Sequence, residues 1–366
     1  MKKNRFPGIL LTLVLLSFSA VFLLLLYRIH IIPNKLLAIG AVILLVIVLF
    51  LSLLIADSGK KGIFSVGLIL SLMYALLLIA GSYYLIQSGT AVVNSIPGVE
   101  NSVLTLYISG IDSQEENASA DDNARSDVNI VAVINLATHQ MLLVSTPRDY
   151  YIPLSISDGV PDKLTHAGIY GIQVSMDTLG MLYDINLRNY VRVDFSGFDE
   201  IVDALGGITV WSDYDFDSQN ILGYHFSQGE NHLNGEEALV FARERFAFED
   251  GDRQRGRNQM ALIKAIVQKA ASPEIASRLP QLLTSLDGAF STNLSMTDLA
   301  KLAISQASAG MSDWNMYTYS VDGYSDTQIP YSLSEPVYVM VPDETTVEQA
   351  KALMQQVRNG EALPQG

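Results

Sequence analysis

The chain has 366 residues, a formal net charge of −15, 49% hydrophobic residues and no cysteine. Without cysteine there is neither a disulfide framework nor a thiol nucleophile. The charge is uneven: residues 1–86 hold seven Lys/Arg against one acid, so residues 87–366 carry −21. That acidity argues against nucleic acid as a partner, which needs a basic footprint.

Three apolar runs come first, Leu10–Tyr27, Leu36–Ala56 and Ile63–Ile86. A helix needs roughly 20 apolar residues to cross a hydrocarbon core, and these runs carry charges only at their edges. A cleaved signal peptide has a single shorter run with a small-residue cleavage site, so residues 1–87 are expected to be a retained membrane anchor of three transmembrane helices. Lys2, Lys3 and Arg5 precede the first run, and Lys60 and Lys61 separate the second from the third. Arg28 and Lys35 in the first loop weaken the bias, but it still places the N-terminus inside. Three crossings then make a multi-pass protein whose remaining domain is extracellular.

Residues 88–102 read as a linker rich in Gly, Pro and Ser, and 103–360 as one domain large enough for its own core. Val103–Ser109, Val128–Leu136 and Met141–Ser145 are β-branched, apolar segments expected to be strands, the last two joined as a hairpin; Tyr190–Phe195 and Ile208–Trp211 follow. Helices are expected over Ile172–Leu182, Phe198–Leu205, Gly235–Phe241, Arg257–Ala270, Ile275–Leu286 and Met296–Ser308. Strands alternating with helices predict an α/β fold, an α/β/α layered domain with a central mixed sheet. Ser113–Asn123 is a polar, acidic loop.

Five segments concentrate the unusual polar residues. Gly110-Ile111-Asp112 leaves one strand and Arg125-Ser126-Asp127 enters the next. Asp112 and Asp127 can converge on a hard cation such as Mg²⁺, which binds through one or two carboxylates plus substrate phosphates; each can equally be a turn or cap residue. Pro147-Arg148-Asp149 ends a strand. Asp162 to Ala167 reads DKLTHA. The densest segment runs from Phe241 through Arg243 and Arg245 to Asp252-Arg253-Gln254-Arg255-Gly256-Arg257-Asn258-Gln259. Arginine's planar fork matches phosphate oxygens. Arg243 and Arg245 would share a face on an extended segment, and Arg255 and Gln259 a face of a helix. The alternative is a solvated face balanced by Glu244, Glu249, Asp250 and Asp252. No G-x-S-x-G elbow or H-E-x-x-H pattern is present.

These motifs occur in a fixed order: GID, RSD, S-x-PRD, DKLTHA, GGITV, H-L-N-G-E-E-A-L-x-F-A-R-x-R and D-R-Q-R-G-R-N-Q. Over about Val103–Gln356 the chain resembles the LytR-CpsA-Psr family of Gram-positive cell-wall assembly enzymes, and its three-run start is similar to that of streptococcal-type, capsule-associated members. It departs from them in three ways: the linker is too short for an extra domain, Met260 follows Gln259, and the loop after Asp112 is long and acidic. The resemblance implies Mg-assisted transfer of a glycopolymer, capsular polysaccharide or teichoic-acid-like, from a polyprenyl-pyrophosphate carrier to peptidoglycan as a phosphodiester. It implies that Asp112 and Asp127 hold Mg²⁺ or Mn²⁺, and that Arg125, Arg148, Lys163, Arg243, Arg245, Arg255 and Gln259 hold the pyrophosphate. Asp252 is then the candidate base, and an apolar tunnel between sheet and helices takes the isoprenoid. Rival readings are a polyprenyl-pyrophosphate hydrolase and a non-catalytic envelope regulator. Ile172, Met176, Leu179 and Leu182 are expected to be ordinary core rather than tunnel wall.

Overall fold

A computed structural model describes residues 6–29, 34–56, 68–82, 94–111, 124–270, 288–307 and 314–363, with 272, 275, 282 and 286. Asp112, the acidic loop after it and nearly all of the expected helix Ile275–Leu286 lie outside the described residues. The chain forms two compact units, Met1–Val93 and Asn94–Gly366.

The first unit holds α1 (Phe6–Ile29), α2 (Asn34–Ala56) and α3 (residues 68–82). Small polar groups join the helices: Thr12 Oγ1 to Ser52 Oγ at 2.8 Å, and Ser19 Oγ to the Tyr74 hydroxyl at 2.7 Å. Leu15, Val48 and Leu51 pack between them. Among the described residues, no helix is long and apolar enough to cross a membrane.

The second unit begins with β1 (Val99–Glu100), β2 (Val103–Ile111), β3 (Ser126–Asn135), β4 (Gln140–Ser145), β5 (Tyr151–Pro153) and β6 (Pro161–Lys163). Then come α4 (Leu164–Ala167), α5 (Ile172–Tyr183), β7 (Asn189–Asp194), α6 (Phe195–Ala204), β8 (Ile208–Ser212), β9 (Phe216–Asp217), β10 (His225–Phe226) and β11 (Gly229–Leu233). The remainder is α7 (Gly235–Arg243), α8 (Gly251–Ala270), β12 (Phe290–Thr292), α9 (Met296–Ala307), β13 (Asn315–Ser320), β14 (Gly323–Gln328), β15 (Val337–Pro342) and α10 (Glu344–Asn359). The central sheet runs β12-β7-β2-β3-β4-β13, with β1 also on β2. It is mixed: β2–β7 and β4–β13 are parallel, while β2–β3, β3–β4 and β7–β12 are antiparallel.

The alternation of side chains along a strand explains the layering. On one face Tyr107, Val131, Val133, Leu142 and Val144 pack with α5 and α10 through Met176, Leu179, Val347 and Leu353. On the other, Ile130, Ala132, Met141 and Leu143 meet Met260 and Ile263 of α8. The outcome is the expected α/β architecture with a central mixed sheet, and Met176 and Leu179 are core residues.

Two of the motif strings turn out to be folding signals. Asn234 caps α7 with a reciprocal box: its Oδ1 accepts from the Glu237 N–H, and its own N–H donates to Glu237 Oε2, both at 2.9 Å. This satisfies two N–H groups that a helix start leaves unpaired. Gly206 and Gly207, at φ +78° and +82°, end α6 in a conformation that side-chain-bearing residues rarely adopt.

Candidate active site

A cleft of about 200 Å³ opens where β3, β4, α8 and the β14–β15 hairpin converge. Asp127 lies at the start of β3, and Pro147-Arg148-Asp149 leaves β4 beside it. The first turns of α8 contribute Arg253, Arg255, Gly256, Arg257 and Gln259; Asp322, Tyr338 and Met340 come from the C-terminal segment. Helix α8 passes close over β4: a Cβ at Gly256 would lie 3.5 Å from Ser145 Oγ. Its N-terminal turns therefore face the cleft, and helix N-termini favour anions.

Cations and carboxylates are interleaved here. Arg148 Nη1 is 2.6 Å from Asp127 Oδ1, and its Nε is 3.5 Å from Asp149 Oδ2. Lys163 Nζ reaches Asp149 Oδ1 at 2.9 Å. Arg253 places Nε and Nη2 at 2.9 and 2.7 Å from Asp322 Oδ1, and Arg257 pairs with Asp250.

The structure thus gathers Asp127, Arg148, Arg255 and Gln259 in one cleft, with Lys163 joined through Asp149. Arg125 is exposed, just ahead of β3. Arg243 and Arg245 lie apart from the cleft lining. The Arg243 guanidinium sits over the Phe195 ring at 4.6 Å, and that of Arg245 over Phe246 at 4.6 Å. The backbone of Asp252 is in the first turn of α8, and its side chain is outside the described residues, as is Asp112.

Between Arg243 and Arg245, Glu244 is fully buried rather than a surface counter-charge. Its Oε2 accepts from Ser218 Oγ (2.5 Å) and the Gln219 and Asn220 N–H groups (2.8 and 3.1 Å). Its Oε1 accepts from the Arg245, Phe246 and Ala247 N–H groups at 2.9, 2.8 and 3.0 Å. Burial alone would raise its pKa, but these bonds favour the charged form and hold it below the usual carboxylate range. The DKLTHA string is likewise mostly architectural. Buried Asp162 accepts from His166 Nδ1 and the Lys163 N–H, both at 2.7 Å, and from the Ser332 N–H at 3.0 Å. The pull of burial on Asp162 is again overcome by these bonds, which lower its pKa.

Beside the cleft lies an apolar cavity of about 320 Å³, between the α8 face of the sheet and helices α6 and α8. Leu106, Ile108, Val191, Val193, Phe195, Phe198, Ala204 and Leu262 line it. Gln259 belongs to both walls, so the cavity and the cleft meet at that residue. The cavity lies on the face of the sheet opposite Met176 and Leu179. Asp149, Arg253 and Arg257, named in the polar segments but given no role, also line the cleft, as do Asp322 and Tyr338, which the sequence did not single out. Asp149 had a signal in its strand-end PRD string, and Arg253 and Arg257 in the density of arginines.

The mixed-sheet α/β domain and its ordered motifs point to one known group of proteins. Residues 87–355 match the LytR_cpsA_psr family, and the chain belongs to it. It is 35% identical over 206 residues to the polyisoprenyl-teichoic acid–peptidoglycan teichoic acid transferase TagU of Enterococcus faecalis, covering 56% of this chain and 66% of the relative. The transferase of that name from Oceanobacillus iheyensis is 30% identical over 282 residues, 70% of this chain and 84% of the relative. Among solved structures, Bacillus subtilis TagV superposes with a TM-score of 0.59 at 25% identity, covering 72% of this chain and 100% of that one. TagT bound to LIIa-WTA gives 0.56 at 25% identity, over 70% and 90%. The chain spans just under two thirds of the Enterococcus relative's length.

Proposed function

We propose that this protein is a membrane-anchored phosphotransferase that moves a glycopolymer from a polyprenyl-pyrophosphate carrier to a peptidoglycan hydroxyl. The observation that carries this is the meeting of a cationic cleft and an apolar cavity at Gln259. A polyprenyl pyrophosphate has the same two parts in the same order. Burying one five-carbon isoprene unit contributes about 3–4 kcal/mol, and arginines with a helix N-terminus suit the phosphates.

In the reaction, the acceptor oxygen forms a bond to the phosphorus that carries the glycan, and the bond from that phosphorus to the bridging oxygen breaks. Polyprenyl phosphate leaves, and the hydroxyl proton passes to a base, for which Asp252 is the candidate. Arg148 and Arg255 neutralise charge developing on the phosphates. Among the described residues no cluster of three carboxylate or histidine ligands is present; Asp127, paired here with Arg148, would hold Mg²⁺ or Mn²⁺ together with Asp112, and the ion when bound would supply further charge neutralisation. Residues 1–87 are the three-span anchor, and the catalytic domain faces outward. The glycopolymer is of the teichoic-acid or capsular class.

Binding and cleavage of a polyprenyl pyrophosphate, with and without a chelator, tests this. The full-length protein should bind the lipid and cleave it only with divalent cation. Arg255→Glu and Ala204→Phe, one reversing charge in the cleft and one filling the cavity, should each weaken binding at least tenfold. Lys351→Glu, on the far α10, should not. Equal losses from all three would mean diffuse attraction; chelator-resistant cleavage would remove the metal. Topology is tested by reporters: one fused at the C-terminus should work only outside the membrane, and one after Lys61 only inside. The reverse pattern would exclude peptidoglycan as acceptor.

A further inference from the structure

The segment that carries Arg148 is held through its backbone from two sides. Three successive carbonyls are taken. That of Arg148 accepts from the Thr165 N–H at 2.8 Å, that of Asp149 from the Met340 N–H at 2.8 Å, and that of Tyr150 from the Leu164 N–H at 2.9 Å. Two of the donors belong to α4 and one to β15, so neither element alone fixes the segment. The hairpin β14–β15 is a two-stranded sheet outside the central one. Such a pair is marginal by itself, so β15 keeps its place through ties to its surroundings.

One of those ties is a buried junction with α4. Asp162 Oδ2 accepts at 3.0 Å from the N–H of Ser332, in the loop between β14 and β15, and Asp162 Oδ1 lies 2.7 Å from His166 Nδ1 of α4. Ser332 Oγ is 2.9 Å from the same ring nitrogen. The neighbouring Tyr331 N–H donates to the Pro161 carbonyl at 3.0 Å. Asp162 is fully buried and His166 only 4% exposed. Neither is among the described residues that line the cleft. Bonds made out of water are strong and hold their geometry, so α4 and the hairpin loop cannot shift independently. A group acting on a transferring phosphoryl must be held to within about 0.5 Å of its productive place, and the backbone of Arg148 hangs from these two elements.

We propose that Asp162 and His166 are positioning residues for Arg148: they lock α4 to the β14–β15 loop, and the two elements together fix the backbone that aims the guanidinium. This rests on the reading of the cleft as a pyrophosphate site. A pair that only stabilised the fold would act on every cleft residue alike, whereas a pair that acts through Arg148 has nothing left to position once the guanidinium is gone.

A double-mutant cycle in the full-length protein separates the two. Single-turnover cleavage of a polyprenyl pyrophosphate is measured for wild type, His166→Leu, Arg148→Ala and the double variant. His166→Leu should slow cleavage about tenfold beside Arg148 and by less than about twofold in the Arg148→Ala background. His166→Asn, which keeps an N–H donor near the position of Nδ1, should stay within about threefold of wild type. Ser332→Ala removes one bond of the junction from a surface loop, and serves if His166→Leu fails to fold. It should slow cleavage about threefold beside Arg148 and leave the Arg148→Ala rate unchanged. Equal losses in the two backgrounds, or wild-type rates in His166→Leu or Ser332→Ala, overturn the proposal. A wild type that cleaves no polyprenyl pyrophosphate overturns the reading of the cleft and the proposal with it.

Discussion

Glu244→Ala should lower the melting temperature by about 10 °C and cost most of the affinity for polyprenyl pyrophosphate. Six hydrogen bonds converge on the buried carboxylate, five of them from backbone N–H groups. Removing it leaves those donors without an acceptor, at roughly 3–5 kcal/mol, and each kcal/mol is worth about 2–4 °C in a domain of this size. The loops at 218–220 and 245–247 would loosen together, and with them the chain that enters α8, whose first turns line the cleft. Glu244→Gln should be nearly as damaging, because its amide nitrogen would face donors. The pH dependence follows from the lowered pKa of Glu244. A depressed folded value means that this contribution is complete above the unfolded carboxylate range and is lost as pH falls through the lower folded value. Below about pH 4 the wild type should therefore lose stability steeply while Glu244→Gln changes less. Thermal melts of the two proteins from pH 7 to pH 3 measure this, and a Glu244→Gln protein with wild-type melting and binding would show the carboxylate to be dispensable.

Arg148→Ala should reduce cleavage of the lipid pyrophosphate by about 30- to 1000-fold, equivalent to roughly 2–4 kcal/mol of transition-state stabilisation. Stability should hardly change. The Arg148 and Asp127 side chains are 33% and 19% exposed, and half-solvated pairs contribute at most about 1 kcal/mol. Arg148→Lys should recover part of the rate, since it keeps the charge but not the fork. Single-turnover rates and melts of the purified variants separate these effects. If Arg148→Ala cleaves at the wild-type rate, Arg148 has only a structural tie to Asp127.

The buried strands were legible because β-branched runs such as Val128–Leu136 have few other places to go, and the arginine cluster because it stands out in an acidic domain. What stayed hidden depends on distant partners. β13 (NMYTYS) and β14 (GYSDTQ) are polar and half exposed, and β13 is a sheet strand only because β4, some 170 residues earlier, accepts it. Glu244 looked like a counter-charge beside two arginines, and its burial is decided by the loop at Ser218. The wall of the apolar cavity is made of the residue types that fill the core, so only the space left between α6, α8 and the sheet tells them apart. Arg243 and Arg245 have the spacing of a shared face, but α7 ends between them, and each settles on a different phenylalanine.

The parallel pairing of β4 with β13 sets a timetable for the chain. A polypeptide emerging from its N-terminus can complete β2, β3 and β4 early, yet the outer edge of β4 has no neighbour until residues 315–320 arrive. Until then an apolar strand offers unpaired N–H and C=O groups to any passing segment. Asp322, Tyr338 and Met340 come later still, so the cleft is unfinished while most of the domain already exists. Such long-range closure makes folding slow and leaves the half-made domain prone to association. The cleft can close only after residue 340 has joined the strands laid down about two hundred residues earlier.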